Sequence, residues 1–399
     1  AGFLTAYELV PSEEEKLARW IKNTVDQRFL DVDGGGVDLI SGIGEGMVSS
    51  LDKFSSFYYA ESMVEKDRQN KGEYNEIGIE IGAPEGEQLV RVLKVYGGSP
   101  AYKKGIKRGD IFKKAIKGDT EYDLENKSAS EVLTKIREIL SEQGEVGIEF
   151  ERRFVSETES KAAETITVQG LKPQIYSRTY SYYYDNTSEE MSGAGLDDDT
   201  AYITLEGFLL GADTQFKQNM DKFKNDGKNN LILDLRTNTG GSLDILQNIA
   251  SHLITDTANS KNVVLMNVQY KGIADKIPVT TENNYYNGYN FENIMVLTDG
   301  YSASATEVLL AAMKDYGTVT KQIGTKTYGK AVMQSYFEYN KKYGMYITVG
   351  LIFYPTNVNI TYNKVGLIPD YEKEFNFAGE YKYDNAIKKA AELISAGSI

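Results

Sequence analysis

The sequence contains no cysteine and a single histidine, His252, among its 399 residues. The missing thiols exclude a cysteine nucleophile and any zinc site built from cysteine and histidine. A Ser-His-Asp triad would have to use His252, but this residue shares the polar face of a predicted amphipathic helix with Asn248 and Thr255. We therefore expect His252 to be a solvated helix residue and a poor candidate for a catalytic base.

Positive charge and long apolar runs are also scarce. The chain has 44 Lys and Arg against 58 Asp and Glu, and its net charge of -14 argues against a nucleic-acid partner, whose phosphates require a basic surface. No run of about 18 apolar residues is found, so no membrane-spanning helix is expected. The length allows two or three domains. The absence of cysteine fits a cytosol and a periplasm equally, and no signal segment is recognised in the chain.

One stretch combines a strand, a turn and a helix. The apolar run Ile294–Thr298 precedes an Asp-Gly turn and then apolar residues at helical spacing, which leaves Ser302 and Ser304 on the turn. A hydroxyl in a first helical turn faces unbonded amides, which can hold the oxyanion formed when a serine attacks a carbonyl. Taken alone, Ser304 fits an N-cap better than a nucleophile, because Ser304–Glu307 matches the common S-x-x-E capping box.

The surrounding motifs favour the catalytic interpretation. The segments SASATE at Ser304, KDYG at Lys314 and TYGKAVMQ at Lys330 follow one another in order. Together they resemble the C-terminal processing serine proteases of peptidase family S41, which use a lysine as the general base. The resemblance implies that Ser304 is the nucleophile, that Lys330 is the base and that Gln334 orients the lysine. It leaves Asp315 either as support for the site or as a structural charge.

A glycine turn precedes this stretch in the sequence. The apolar run Leu231–Leu235 leads into RTNTGG, which resembles the D-L-R-x-N-x-G-G segment of the same family. Glycine suits such a turn because backbone N–H groups must approach a substrate carbonyl without interference from side chains. The resemblance implies that the oxyanion donors are the amides of Ala305 and of Gly240 or Gly241, and the choice between the two glycines stays open.

From about residue 76 to 153, short strands alternate with glycine turns. The segment GSPAYKKGIKRGDI, from Gly98 to Ile111, resembles a PDZ domain. The resemblance implies that backbone amides of Ile77-Gly78-Ile79 bind the C-terminal carboxylate of a peptide, beside a helix over Ser130–Leu140. The alternative is a structural β-domain without a ligand.

The predicted fold is α/β and multidomain. It comprises an N-terminal helical region (1–75), a PDZ-like β-domain (76–154) and a catalytic core (155–399) that the resemblance assigns to the ClpP/crotonase-like folds. The residues 51–58 are expected to belong to the amphipathic helical lead-in.

The predicted function is a serine endopeptidase with a Ser-Lys mechanism, which acts on proteins or peptides selected by their C-terminal tails. No metal or cofactor is expected. The alternative is a non-catalytic peptide-binding scaffold or receptor with a protease-like core. The resemblance also implies a periplasmic or cell-envelope location, and it leaves lipid anchoring and oligomerisation open.

Overall fold

The structure, a computed structural model, describes residues 12–28, 39–59, 73–83, 89–155, 160–254, 262–281, 285, 288–339, 342–373 and 381–397. Within these ranges the α-helices are α1 (Glu13–Arg28), α2 (Leu39–Ser49), α3 (Pro100–Lys103), α4 (Ala129–Gln143), α5 (Ala212–Asn225), α6 (Leu243–Leu253), α7 (Ala305–Asp315) and α8 (Asn385–Ser395). The β-strands are β1 (Ser56–Tyr59), β2 (Glu73–Glu76), β3 (Ile79–Gly82), β4 (Arg91–Val95), β5 (Ile111–Lys117), β6 (Thr120–Asp123), β7 (Val146–Val155), β8 (Ser160–Leu171), β9 (Gln174–Ser177), β10 (Tyr183–Asp185), β11 (Thr200–Thr204), β12 (Asn230–Asp234), β13 (Val264–Tyr270), β14 (Ile277–Thr280), β15 (Asn293–Thr298), β16 (Lys321–Gly324), β17 (Val332–Tyr339), β18 (Tyr343–Phe353) and β19 (Tyr371–Glu372). In this part of the chain no helix is long and apolar enough to cross a membrane.

The chain divides into two compact units, one of residues 1–65 and 334–349 and one of residues 66–333 and 350–399. In the first unit, residues 51–58 are not helical as predicted. The Asp52 carboxylate accepts hydrogen bonds from the amides of Phe54 and Ser55, both at 2.8 Å, and this turn separates α2 from β1. Phe57 of β1 then stacks on Tyr343 of β18 with ring centroids 5.8 Å apart. Pairing of aromatic residues across strands therefore outweighs the helical pattern.

In the second unit, the described residues between 77 and 171 form a structure that we call the β-domain. Its antiparallel sheet has the strand order β3-β4-β5-β7-β8, with β6 paired to β5. The helix α4 covers the expected Ser130–Leu140 and begins with a capping box between Ser128 and Glu131. The Asp110 carboxylate accepts two hydrogen bonds from Arg152, both at 2.7 Å, and one from the amide of Lys107 at 2.9 Å. These bonds explain the local RGD turn, and the PDZ assignment itself stays a prediction.

The core of the second unit is a mixed sheet between helices. Its strand order is β10-β11-β12-β15-β16-β19, and every neighbouring pair except β10–β11 is parallel. One face packs against α5, α6 and α7 and the other against α8. The predicted α/β class is confirmed, and the ClpP/crotonase-like assignment stays a prediction.

The sheet brings two predicted turns to the same edge. The strands β12 and β15 are adjacent and parallel, with Leu233 opposite Val296. Their carboxyl ends therefore lie side by side, and the turn after each strand leads into a helix at that edge. The glycine turn follows β12, and the turn with Ser302 and Ser304 follows β15.

Candidate active site

Ser304 is the N-cap residue directly before α7, and its backbone is strained. Its φ of 59° and ψ of -120° lie in a region that side-chain-bearing residues rarely adopt. The predicted capping box is present, and the amide of Ser304 donates to Oε2 of Glu307 at 3.0 Å. The N-cap role and the nucleophile role therefore do not exclude each other.

Ser302, two residues earlier, uses its hydroxyl inside the fold. The residue is fully buried, and its Oγ donates to the carbonyl of Leu235 at 2.9 Å and accepts from the amide of Asp299 at 3.0 Å. These bonds anchor the turn to the end of β12. Of the two serines, Ser302 therefore has a structural role.

The Glu307 carboxylate joins two segments of the site. One is the turn of residues 299–304, which we call the nucleophile turn after the predicted nucleophile Ser304, and the other is the loop that carries Lys330. Its Oε2 accepts from the amides of Ser304 at 3.0 Å and Lys330 at 2.7 Å. Its Oε1 accepts from the hydroxyl of Thr327 at 2.6 Å and the amide of Gly329 at 2.7 Å. The side chain is fully buried, and burial raises the pKa of this carboxyl. Because Ser304 and Lys330 share one acceptor atom, their backbones are held together at this point.

The Lys330 loop has further anchors. The amide of Tyr328 donates to the carbonyl of Ser302 at 3.0 Å, and the amide of Lys364 donates to the carbonyl of Gly329 at 2.8 Å. Gly329 has a φ of 86°, and a Cβ at this position would lie 2.9 Å from the amide nitrogen of Gly366. Glycine is therefore required here, one residue before the predicted base.

The glycine turn after β12 contacts the nucleophile turn directly. Gly240 has a φ of 97°, and a Cβ there would lie 2.8 Å from the carbonyl oxygen of Ala303 and 2.9 Å from the amide nitrogen of Ala305. The amide of Gly240 donates to Oδ1 of Asn238 at 2.9 Å. At Gly241, with φ of 149°, a Cβ would lie 2.2 Å from the carbonyl oxygen of Phe208. Both positions therefore need glycine.

Two residues without a predicted role hold the glycine turn in place. The Asp299 carboxylate accepts from the amide of Thr237 at 3.0 Å. Thr237 has a φ of 60°, and its carbonyl accepts from the ammonium of Lys94 in the β-domain at 3.1 Å. Lys94 is only 4% exposed and also donates to the carbonyl of Glu206 at 2.8 Å. The Asp299-Gly300 pair predicts a turn, so the sequence points to Asp299. No pattern in the sequence around Lys94 predicts its contact with the glycine turn.

Two other predicted site residues have local partners. The Asp315 carboxylate, at the end of α7, accepts from the amide of Thr356 at 2.8 Å and from its hydroxyl at 2.7 Å. This contact fits a structural role for Asp315. In the first unit, the side-chain amide of Gln334 donates to the carbonyl of Phe54.

The prediction that His252 is solvated is wrong. The side chain is 4% exposed, its Nδ1 lies 2.6 Å from the hydroxyl of Tyr289, and its ring stacks on Tyr285 with centroids 4.8 Å apart. Burial lowers the pKa of His252 to about 4. The residue belongs to an aromatic cluster and lies outside the hydrogen bonds that surround Ser304.

A cavity of about 890 Å³ lies between the β-domain and the core of the same unit. It is lined by Lys94 and Glu206, by several tyrosines and by the Asp234–Arg236 pair, and the predicted catalytic residues are not among its lining residues. Oε2 of Glu206 is buried and accepts no hydrogen bond from the described residues. Burial raises the pKa of this carboxyl to about 7, against the opposing effect of Lys94.

The sequence of the core decides the family. Residues 199–373 match the sequence profile of peptidase family S41. The chain carries a peptidase family S41 domain. The prediction of this family is therefore confirmed, and the matched range contains both turns, Ser304 and Lys330.

Known proteins resemble the chain over most of its length. A carboxyl-terminal-processing protease of Picosynechococcus sp. is 26% identical over 328 residues, which cover 82% of this chain and 71% of that protein. The structure of a photosystem II D1 C-terminal processing protease has a TM-score of 0.52 at 20% identity and covers 91% of this chain and 93% of its own. A candidate S41 protease from Bacteroides fragilis has a TM-score of 0.62 at 17% identity, with 94% and 97% covered. These two structures resemble this chain in fold over most of its length.

Proposed function

We propose that this chain is a serine endopeptidase with Ser304 as the nucleophile and Lys330 as the general base. The observation that carries the proposal is the shared Glu307 oxygen, to which the amides of Ser304 and Lys330 both donate. In this mechanism, Ser304 attacks the scissile carbonyl, and Lys330 takes the hydroxyl proton and later gives it to the leaving amine.

Two features of the fold support this assignment. The hydroxyl of Ser302 is occupied by Leu235 and Asp299, so it does not compete with Ser304 as the nucleophile. A lysine acts as a base near neutral pH only where its surroundings favour the neutral amine. The Lys330 side chain is half-buried on a loop whose backbone is held by hydrogen bonds, and the proposal requires that its surroundings favour the neutral amine.

The oxyanion would be held by backbone amides of the two adjacent turns. We assign the donors to Ala305 and Gly241, because the amide of Gly240 already donates to Asn238. Gly240 then serves to allow the close approach of the two turns. Gln334 stays the proposed orienting residue for Lys330.

Substrates would be proteins or peptides recognised by their C-termini. The related Picosynechococcus protein is a carboxyl-terminal-processing protease, which supports this substrate class. In the β-domain, the loop Ile77-Gly78-Ile79 would bind the terminal carboxylate through backbone amides. A periplasmic or cell-envelope location is part of the same proposal.

The test is hydrolysis of casein, an unstructured protein, by the intact chain and by two serine variants. We expect Ser304→Ala to abolish turnover and Ser302→Ala, the matched control, to retain a substantial fraction. A binding scaffold would capture peptides without cleaving them. Near-normal turnover by Ser304→Ala would refute the nucleophile assignment.

A further inference from the structure

The strand β3 runs from the Ile77–Gly78 loop to the nucleophile turn. The chain enters β3 directly after Gly78 and leaves it at Gly82 and Ala83. The hydroxyl of Tyr301 donates to the carbonyl of Ala83 at 3.0 Å, and Tyr301 lies three residues before Ser304. A Cβ at Gly82 would lie 3.0 Å from the Tyr301 hydroxyl, so the end of β3 and the turn are in close contact.

The beginning of β3 has the features of a carboxylate site. Ile77 and Gly78 are buried, and their amides have no acceptor among the described residues. Gly78 has a φ of 87°, and a Cβ there would lie 2.1 Å from Cβ of Ser99, so the loop backbone is closely enclosed. Buried N–H groups are rarely left without a partner, and a terminal carboxylate supplies two acceptor oxygens.

The strand β3 also ends its sheet, in the part of the chain that the structure describes. The half-buried side chains of Ile79 and Ile81 pack against the same apolar cluster as Leu140 of α4, which leaves an apolar strip beside this edge. A peptide that adds to such an edge with its carboxylate at the loop runs antiparallel to β3. Its upstream residues would therefore pass Gly82 and continue toward Tyr301.

We propose that β3 acts as a ruler, which fixes how many residues separate the C-terminus of a substrate from the bond that is cut. The proposal rests on the proposed endopeptidase function. The four residues of β3 pair with about four substrate residues. The path from Ala83 past Tyr301 to Ser304 takes up further residues at about 3.3 Å each, so we expect cleavage at one fixed distance, more than four residues from the C-terminus. The substrates are then chains with an extended C-terminal tail of at least that length.

The experiment uses peptides in which one uniform repeat sequence ends in the same C-terminal residues, with the tail lengthened by one residue at a time. Mass spectrometry of the products from the intact protein gives the length of the released C-terminal fragment. A constant fragment length across the series is expected. A cut that stays at a fixed distance from the N-terminus as the tail grows, or released fragments of many lengths, overturns the ruler but leaves the endopeptidase intact. Cleavage that is absent, or that survives Ser304→Ala, overturns the proposed function and the ruler with it.

A positioning variant sharpens the test. Tyr301→Phe removes the hydroxyl that bonds Ala83, so we expect released fragments of several lengths instead of one. Tyr102→Phe, at a tyrosine of the β-domain that is 59% exposed, is the matched control and should keep a single length. A single unchanged length from Tyr301→Phe would show that this contact does not align β3 with Ser304.

Discussion

Two turns of this molecule hold their backbone amides in opposite ways. At the nucleophile turn, the amides of Ser304 and Lys330 donate to Glu307. At the start of the β-domain, the amides of Ile77 and Gly78 have no acceptor among the described residues. The first arrangement fixes the backbones of Ser304 and Lys330 without a substrate, which suits a preorganised site. The second leaves donors that a carboxylate would satisfy, which suits recognition.

The largest expected effect comes from removing Lys330, the proposed general base. Lys330→Ala should lower kcat by at least about 10³-fold, as we also expect for Ser304→Ala, and the double variant should be no worse because the proposed mechanism uses the two residues as a unit. The kcat/KM of the intact protein should rise with pH on one ionisation that lies well below the free-lysine value of about 10.4. Lys326→Ala, an exposed lysine on the same loop, is the control. If Lys330→Ala kept a tenth of normal turnover, another base would have to be sought.

Glu307→Gln tests whether the hydrogen bonds to the Glu307 carboxylate hold the nucleophile turn in place. Glutamine keeps one acceptor oxygen but turns the other into a donor, which cannot accept from the amides that Glu307 binds. We expect kcat to fall by about 10²-fold and the free energy of unfolding to fall by about 2 kcal/mol. Both are measured by steady-state kinetics and urea unfolding. Asp315→Asn, at the other end of α7, should retain most activity. Equal losses in both variants would indicate a general effect on the helix.

The nucleophile turn is predictable from the sequence because its signals are local. The strand, the turn and the capping box of Ser304–Glu307 follow one another directly. The second role of Glu307 is not predictable, because Gly329 and Lys330 lie 22 and 23 residues farther along the chain. This contact depends on how the loop after β16 folds back, which no short pattern encodes.

The prediction that His252 is solvated is wrong for the same reason, a contact between segments that lie far apart in the sequence. Helical spacing correctly separates its face of α6 from the apolar face. Tyr285 and Tyr289, from the connection between β14 and β15, then contact His252 on that face. A contact between distant segments therefore buries a side chain that its own helix would leave in solvent. In a similar way, residues 56–59 form the strand β1 by pairing with the distant strand β18.

Amidation of the substrate's C-terminus tests whether the Ile77–Gly78 loop binds a carboxylate. A peptide amide loses the charge and one acceptor oxygen, so binding should weaken by roughly 1–3 kcal/mol while kcat changes little. Binding is measured with Ser304→Ala, which should hold both peptides without cutting them. The control is the same peptide with a free C-terminus and an acetylated N-terminus, in which the charge is removed from the other end. It should bind as tightly as the unmodified peptide. Equal affinities for the free and amidated peptides would mean that the Ile77–Gly78 loop does not read a carboxylate.

The smallest expected effect concerns Lys94, which links the β-domain to the glycine turn. Lys94→Met leaves the carbonyls of Thr237 and Glu206 without this donor, so the turn that ends in Gly240 and Gly241 should be less well held. We expect kcat to fall by about tenfold or less. Lys107→Met, at an exposed lysine that lines the same cavity, should be nearly silent.

The pH dependence of stability distinguishes a lost contact from general damage. Because the pKa of Glu206 is raised from 4.5 to about 7 in the folded protein, the folded state binds more protons than the unfolded state between these values. The contribution of Glu206 to stability is therefore full below pH 4.5 and is lost as pH rises to about 7. Lys94 opposes the rise, so in Lys94→Met the loss should continue to higher pH. Urea unfolding at pH 5, 7 and 8 measures this change. If the free energy of unfolding depended on pH in the same way in the variant and the intact protein, Lys94 would have no effect on the pKa of Glu206.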